Sequence, residues 1–150
     1  KVGIKVHGDF IIGLPGETSQ TIERTIDFAK ELDCETIQVS VAHALPGTEF
    51  YDYVAKNKFL ISEAAADVQG HQLPHVEYPG LSSENMIAAV NRFYDTYYFR
   101  PRVIWRIVRN ALWDSHERKR LYGEAVSFLR LRAERLKWAR KGFEKDPKVT

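Results

Sequence analysis

The chain has 150 residues, of which 44% are hydrophobic and 12% aromatic, and this composition predicts one folded domain and excludes a disordered protein. Its single cysteine excludes an internal disulfide framework and any all-cysteine metal or iron–sulfur site built from this chain alone. It contains no run of 18 apolar residues, which excludes a transmembrane helix within it, and its first residues show no signal-peptide pattern. Since no Met begins the chain, we expect it to start inside a larger domain.

Charge is divided unevenly along the chain. Residues 1–98 hold 7 basic and 14 acidic residues, whereas residues 99–150 hold 15 basic and 6 acidic residues. The two parts therefore carry net charges of −7 and +9, which predicts different surroundings for them. One interpretation is that the basic part packs on the acidic part of the same chain or on a partner domain. Charge distribution bears on association and says little about fold.

The first predicted elements form a βαβ unit. Residues 8–13 contain a short apolar run that predicts a strand, and residues 19–32 place apolar side chains at helical spacing behind Thr18 or Ser19 as N-cap. Residues 36–42 alternate and are rich in β-branched side chains, which predicts a second strand. Strand, helix and strand within about 35 residues predict a parallel pair of strands.

A Pro-Gly turn follows each predicted strand. Residues 13–17 read Gly-Leu-Pro-Gly-Glu, and residues 43–48 read His-Ala-Leu-Pro-Gly-Thr. Proteins of the α/β class bind ligands at the carboxyl ends of strands, where glycine admits a ligand close to the backbone and the next helix presents free N–H groups. The turns therefore predict either a ligand contact or ordinary tight connections. Neither matches a phosphate-binding glycine motif, and we interpret Glu17 as a favourable charge at a helix N-terminus.

The second half of the chain is predicted to be helical. A short helix is expected at residues 49–57, after the second turn, and an irregular connector follows it. Three further helices are expected at residues 84–98, 102–113 and 116–141. This pattern divides the chain into residues 1–60, a connector at 61–80, and a helical part at 81–150. A two-stranded parallel sheet is not stable alone, which predicts that the chain is a fragment or depends on a partner.

Both strand-to-turn segments resemble a known family. Gly-Asp-Phe-Ile-Ile-Gly-Leu-Pro-Gly-Glu-Thr at 8–18 and Val-Ser-Val-Ala-His-Ala-Leu-Pro-Gly-Thr-Glu-Phe-Tyr at 39–51 resemble strands five and six of the radical S-adenosylmethionine (radical SAM) partial barrel. Residues 78–84 and 98–101 resemble the C-terminal extension of the cobalamin-binding group, and within it the hopanoid-biosynthesis-associated radical SAM proteins. The resemblance implies an α/β fold made of the C-terminal βα units of a partial TIM-like barrel, followed by an all-helical extension.

The same resemblance implies a function. In that superfamily a [4Fe–4S] cluster on Cys-x-x-x-Cys-x-x-Cys reductively cleaves SAM to a 5′-deoxyadenosyl radical. This chain lacks that motif, and we interpret Cys34 as a structural thiol. The cluster and cobalamin would be bound by an N-terminal part, so this chain alone is expected to be inactive. The implied role is hopanoid lipid side-chain biosynthesis in the cytoplasm, peripherally at the inner membrane, with the rest of the barrel, the cobalamin domain and a lipid-linked hopanoid as partners.

The resemblance also implies which residues meet SAM, although it implies no catalytic residue and no metal ligand here. The residues that match the adenine-packing position of strand five and the adenine edge of strand six are Ile11, Ile12, Gly13, Val39, Ser40, Val41 and Ala42. His43 lies just past the second strand and is a candidate substrate contact.

Residues 102–113 predict an amphipathic basic helix. Arg102, Arg106 and Arg109 flank an apolar stripe that has tryptophans at its edges. Basic charge with tryptophan is typical of a membrane-surface helix, and the same pattern fits a helix packed on a domain flank. The alternative function is therefore a non-catalytic helical module that binds an anionic membrane surface or a partner protein. No nucleic-acid partner is expected, because the basic part has no motif beyond its charge.

Overall fold

The computed structural model describes residues 4–61 and 75–113, together with residues 123, 126, 129, 130, 132 and 133. Within these residues the fold is a mixed α/β arrangement of one two-stranded sheet and four helices. The elements are β1 (His7–Ile12), α1 (Ser19–Leu32), β2 (Thr36–Val41), α2 (Glu49–Lys56), α3 (Ser83–Tyr98) and α4 (Pro101–Trp113).

These bounds agree with the predicted elements to within about one residue at each end, as expected where local periodicity is strong. Residues 62–74 of the predicted connector and most of the predicted helix at 116–141 lie outside the described residues. The chain divides into two compact units, Lys1–Tyr97 and Tyr98–Thr150.

The sheet is parallel, as predicted, and one of its faces is covered. The register runs from His7 opposite Thr36 to Ile12 opposite Val41. Side chains alternate along both strands, so Ile12 is 0% exposed while its neighbour Ile11 is 55% exposed. Both strands therefore present one apolar, buried face and one open face.

Two helices cover the buried face. α1 contacts β1 and buries an apolar stripe that includes Ile22 and Ile26, each 1% exposed. Phe93 of α3 is fully buried, and its ring lies 5.1 Å from the ring of Phe10 in β1, measured between centroids. Since the other face is exposed, α1 and α3 lie on the same side of the sheet.

A tyrosine of α3 closes the outer edge of β2. The N–H of Ala42 donates to the carbonyl of Ile12 at 2.7 Å, and alternate residues of a parallel ladder bond to opposite sides. The N–H of Val39 therefore faces away from β1, and it donates to the Tyr94 hydroxyl at 2.9 Å. By the same alternation Asp9 faces outward from β1, where no hydrogen bond from the described residues reaches its backbone groups.

A second tyrosine of α3 holds the turn before β2. The Tyr97 hydroxyl, on a side chain that is 0% exposed, donates to the Cys34 carbonyl at 2.5 Å. The Cys34 side chain is buried, as expected for a structural thiol. α3 is thus attached to the sheet edge by hydrogen bonds as well as by apolar packing.

The first turn of α1 is capped by its own sequence. Thr18 is the N-cap, and its hydroxyl accepts from the Thr21 N–H at 3.2 Å while the Thr21 hydroxyl accepts from the Thr18 N–H at 2.9 Å. This reciprocal pair is a capping box made with threonine at its third position. The helix leaves Phe28 and Leu32 about half exposed, although the sequence pattern predicts both as part of the apolar stripe.

The segment after α2 forms a short antiparallel pairing with residues 75–77, separate from the β1–β2 sheet. Leu60 and Val76 form a bridge, the Ile61 N–H donates to the His75 carbonyl at 3.0 Å, and the Glu77 N–H donates to the Phe59 carbonyl at 2.8 Å. This pairing orders the described end of the predicted connector and positions residues 75–78.

The second unit contains α4. Val103 on this helix is buried, whereas Trp105 is 61% exposed. The Arg132 guanidinium lies over the ring of Phe99, 5.3 Å from its centroid, which is a cation–π contact. Across the described residues no helix is both long and apolar enough to cross a membrane.

Candidate functional site

Three turns with the same local structure surround the candidate site. Residues 14–17, 45–48 and 78–81 each place Pro second and Gly third, and in each the last N–H donates to the first carbonyl at 3.0–3.2 Å. The third-position glycines have φ between +82° and +86°. These features define type II turns, in which positive φ at the third residue favours glycine. The first two turns end β1 and β2, and the third precedes α3.

Residues 75–78 join the ends of both strands. The Tyr78 hydroxyl donates to the Gly13 carbonyl at 2.9 Å, across 65 positions of sequence. The His75 ring lies against the ring of His43, with centroids 4.0 Å apart. Since Gly13 follows β1 and His43 follows β2, this segment ties the two carboxyl ends together. The candidate site is the end of the sheet at which both strands have their carboxyl termini, where α/β proteins place ligands.

Both polar groups of Gly13 are held by side chains. Its N–H donates to the Glu17 carboxylate, and its carbonyl accepts from Tyr78. Gly13 has φ +88°, and a Cβ added there would lie 3.0 Å from Met86 Sδ and 3.4 Å from Val41 Cγ1. Glycine is therefore required by the packing of the protein itself, and its N–H and carbonyl are already engaged.

Glu17 has a hydrogen-bonding role that the sequence does not suggest. It precedes the N-cap of α1, no acidic residue lies in the first turn of that helix, and its carboxylate accepts from Gly13. Its observed contact is therefore with the turn, and the interpretation as a charge at the helix N-terminus stays a prediction. Burial raises the pKa of Glu17, and hydrogen bonds from the Gly13 and Leu14 backbone partly offset that effect. Burial, with the neighbouring Tyr53 and Glu17, raises the pKa of Tyr78 to about 12, so its hydroxyl stays a donor.

Substitution of Glu17 separates hydrogen bonding from charge. Glu17→Gln keeps an acceptor for the Gly13 N–H, whereas Glu17→Ala leaves this partly buried donor without one and is expected to cost about 1–3 kcal/mol of unfolding free energy. Because the folded-state pKa lies above the usual 4.5, the favourable contribution of Glu17 is present below pH 4.5 and is lost as the pH rises through the folded-state pKa. Glu17→Gln should therefore gain stability relative to the native chain between pH 4 and pH 7, measured by urea unfolding. If the difference in unfolding free energy between the Glu17→Gln and native proteins did not change from pH 4 to pH 7, the raised pKa of Glu17 would be contradicted.

His43, the predicted substrate contact, is partly buried at the end of β2. Its Nδ1 is inaccessible to solvent and has no hydrogen-bond partner among the described residues. Its ring packs on His75, which is 2% exposed. The side chain thus lies at the candidate site, and its contact with a substrate stays a prediction.

The residues that the resemblance assigns to SAM divide between the two faces of the sheet. Ile11 and Ser40 are register partners on the open face and are brought together. Gly13 lies between the end of β1 and the first turn. The other four have buried side chains, and they are Ile12 (0% exposed), Val39 (7%), Val41 (6%) and Ala42 (6%). Of the residues that the resemblance assigns to SAM, only Ile11 and Ser40 therefore offer side chains to a ligand on the open face.

Sequence reasoning missed the polar residues of that open face. Asp9 and Gln38 are register partners next to Ile11 and Ser40, and both are exposed. His7, further along β1, lies 2.6 Å from the Thr36 hydroxyl through Nδ1 and 3.1 Å from Asp9 through Nε2. The alternation of polar and apolar residues along both strands could have identified these residues as one polar face of the sheet. Tyr78 was also missed, although the third Pro-Gly pair at residues 79–80 repeats the other two.

The chain is similar to a protein of Pyrococcus horikoshii that is described as an uncharacterized methyltransferase. The two are 33% identical over 104 residues, which make up 69% of this chain and 22% of the other protein. The chain thus spans about a fifth of the length of this relative. No protein-family model and no solved structure matches the chain.

Proposed function

We propose that this chain forms one wall of the SAM site of a methyltransferase. The similarity to a protein named as a methyltransferase supports the reaction class. The observation that carries the location is the open face of the sheet, which ends in two Pro-Gly turns tied together by residues 75–78. SAM would lie on this face, at the carboxyl ends of β1 and β2.

The one-sided cover of the sheet supports a barrel wall. In a βα barrel the helices pack outside the strands, and the opposite face of each strand points into the interior. Here α1 and α3 cover one face, while Ile11, Ser40 and polar neighbours occupy the other. In the proposed enzyme further strands would add beside β1, because Tyr94 occupies the outer edge of β2.

Each proposed contact follows from exposure and chemistry. Ile11, which is 55% exposed, would pack on the adenine ring, and the Ser40 hydroxyl beside it would bond to a polar edge of the nucleoside. Gly13 would contact the ligand without a hydrogen bond, since its N–H and carbonyl already bond to Glu17 and Tyr78. His43 would face the substrate from the end of β2.

The finer assignment rests on the sequence resemblance. By that resemblance the enzyme is a cobalamin-type radical SAM protein, and its substrate is a hopanoid lipid whose side chain it elaborates. The residues of this chain do not fit an iron–sulfur cluster, because such a cluster needs several thiolates and the chain has one cysteine, whose side chain is buried. Any cluster, and cobalamin with it, would be held elsewhere in the protein.

SAM binding tests the proposal. The protein encoded by the complete reading frame would be titrated with SAM under anaerobic conditions, with calorimetry to give Kd. Ile11→Asp removes the apolar contact from an exposed position, and we expect Kd to rise by about tenfold, which corresponds to about 1.4 kcal/mol. Ile4→Asp is the matched control, because Ile4 is 76% exposed and lies outside the sheet.

Product analysis tests the finer assignment separately. Reduced protein incubated with SAM should release 5′-deoxyadenosine if the radical SAM assignment is correct. A methyltransferase of another kind would release none, because it only transfers the methyl group of SAM to an acceptor. Equal Kd values for the Ile11→Asp and Ile4→Asp proteins would overturn the proposed binding wall, whichever product forms.

A further inference from the structure

The outer surface of α4 is apolar although it is exposed. Ile104, Trp105 and Val108 expose 43%, 61% and 43% of their surface. Residues three and four positions apart share a helix face, so these three side chains form one stripe. The fully buried Val103 points away from that stripe, which shows that α4 uses a different side for its own packing.

Arginines border this apolar stripe. Arg102 and Arg109 lie three positions before and four positions after Trp105, so they follow one flank of the stripe, and both are exposed. α4 contains three arginines and no acidic residue, and residues 99–150 carry a net charge of +9. The exposed surface of the helix therefore joins apolar side chains to charge of a single sign.

We propose that α4 binds the surface of a bilayer that contains anionic lipids. Ile104, Trp105 and Val108 enter the boundary between headgroups and acyl chains, and Arg102 and Arg109 lie among the lipid phosphates. A helix of 13 residues is about 20 Å long, shorter than the roughly 30 Å hydrocarbon core, so α4 lies along the surface. This proposal does not depend on the proposed SAM site.

Charge and residue type favour lipid over a protein partner. A membrane surface is uniformly anionic and attracts clustered arginines without matching individual carboxylates. Tryptophan is enriched at the interface between lipid and water, because its ring is apolar and its N–H is polar. Trp105 is the most exposed of the three stripe residues and lies nearest to the two arginines.

Vesicle co-sedimentation of the full 150-residue chain tests the proposal. We expect binding to vesicles of equal phosphatidylglycerol and phosphatidylcholine, no binding to phosphatidylcholine alone, and release at high salt. Each arginine near an anionic surface contributes about a fivefold increase in partition, so Arg102→Glu with Arg109→Glu should weaken binding by more than about tenfold. Arg24→Glu with Arg130→Glu is the matched control, since both arginines are exposed and the change in net charge is the same.

Tryptophan fluorescence gives a second readout. With Trp113→Phe and Trp138→Phe, Trp105 becomes the single tryptophan, and its emission should shift to shorter wavelength on the anionic vesicles. An equal loss of binding in both charge-reversal proteins would overturn the proposal, because the attraction would then be diffuse. Absence of binding to the anionic vesicles, or an unshifted Trp105 emission, would overturn it in favour of a protein partner.

Discussion

Phe93→Ala is expected to lower the free energy of unfolding by about 3–5 kcal/mol. The Phe93 side chain is fully buried between α3 and the sheet, where its ring meets the ring of Phe10. Its removal loses the transfer free energy of the ring and leaves a cavity between α3 and the sheet. Urea unfolding followed by far-ultraviolet circular dichroism measures the change.

Phe28→Ala is the matched control for this experiment. Phe28 lies on α1 and is 54% exposed, so the same truncation should change stability by no more than about 0.5 kcal/mol. If the two substitutions had similar effects, α3 would not pack on the sheet as described.

Gly13→Ala is expected to destabilise the chain by about 2–5 kcal/mol, through two separate costs. An L-residue at φ +88° costs about 1–2 kcal/mol, and forcing a Cβ against Met86 Sδ at 3.0 Å adds about 1–3 kcal/mol of overpacking. Gly16→Ala separates the costs, because Gly16 has φ +82° and nothing within 4 Å of its added Cβ. Gly16→Ala should therefore cost only the first amount, again measured by urea unfolding. Equal losses for the two substitutions would show that Met86 moves away without cost.

The elements were predictable from sequence because their signals are local. The alternation of residues 36–42 identified β2, and the apolar spacing of residues 19–32 with Thr18 before them identified α1 and its cap. Phe28 is a partial failure of the same method, because periodicity gives the apolar side of a helix and does not tell how wide a part of it the rest of the chain covers.

The site was less predictable because its contacts are long-range. The sequence indicated Gly13 as a glycine that lets a ligand approach, whereas the structure explains it by Met86 and Val41, which lie behind it. Tyr78 reaches Gly13 across 65 positions, and no local pattern predicts such a contact. Glu17 was recognised as a residue of interest, but its acceptor role depends on how the turn folds back on itself.

The tyrosine-closed edge of β2 gives the sheet a direction of growth. The Tyr94 hydroxyl accepts a hydrogen bond from the Val39 N–H, as a carbonyl of a neighbouring strand would. In contrast, the outward backbone groups of Asp9 on β1 have no partner among the described residues. An open strand edge is a template for any extended chain, and a charged side chain such as Asp9 discourages the wrong ones. A strand added beside β2 would have to displace the Tyr94 hydroxyl from the Val39 backbone, so growth of a larger sheet is favoured beside β1.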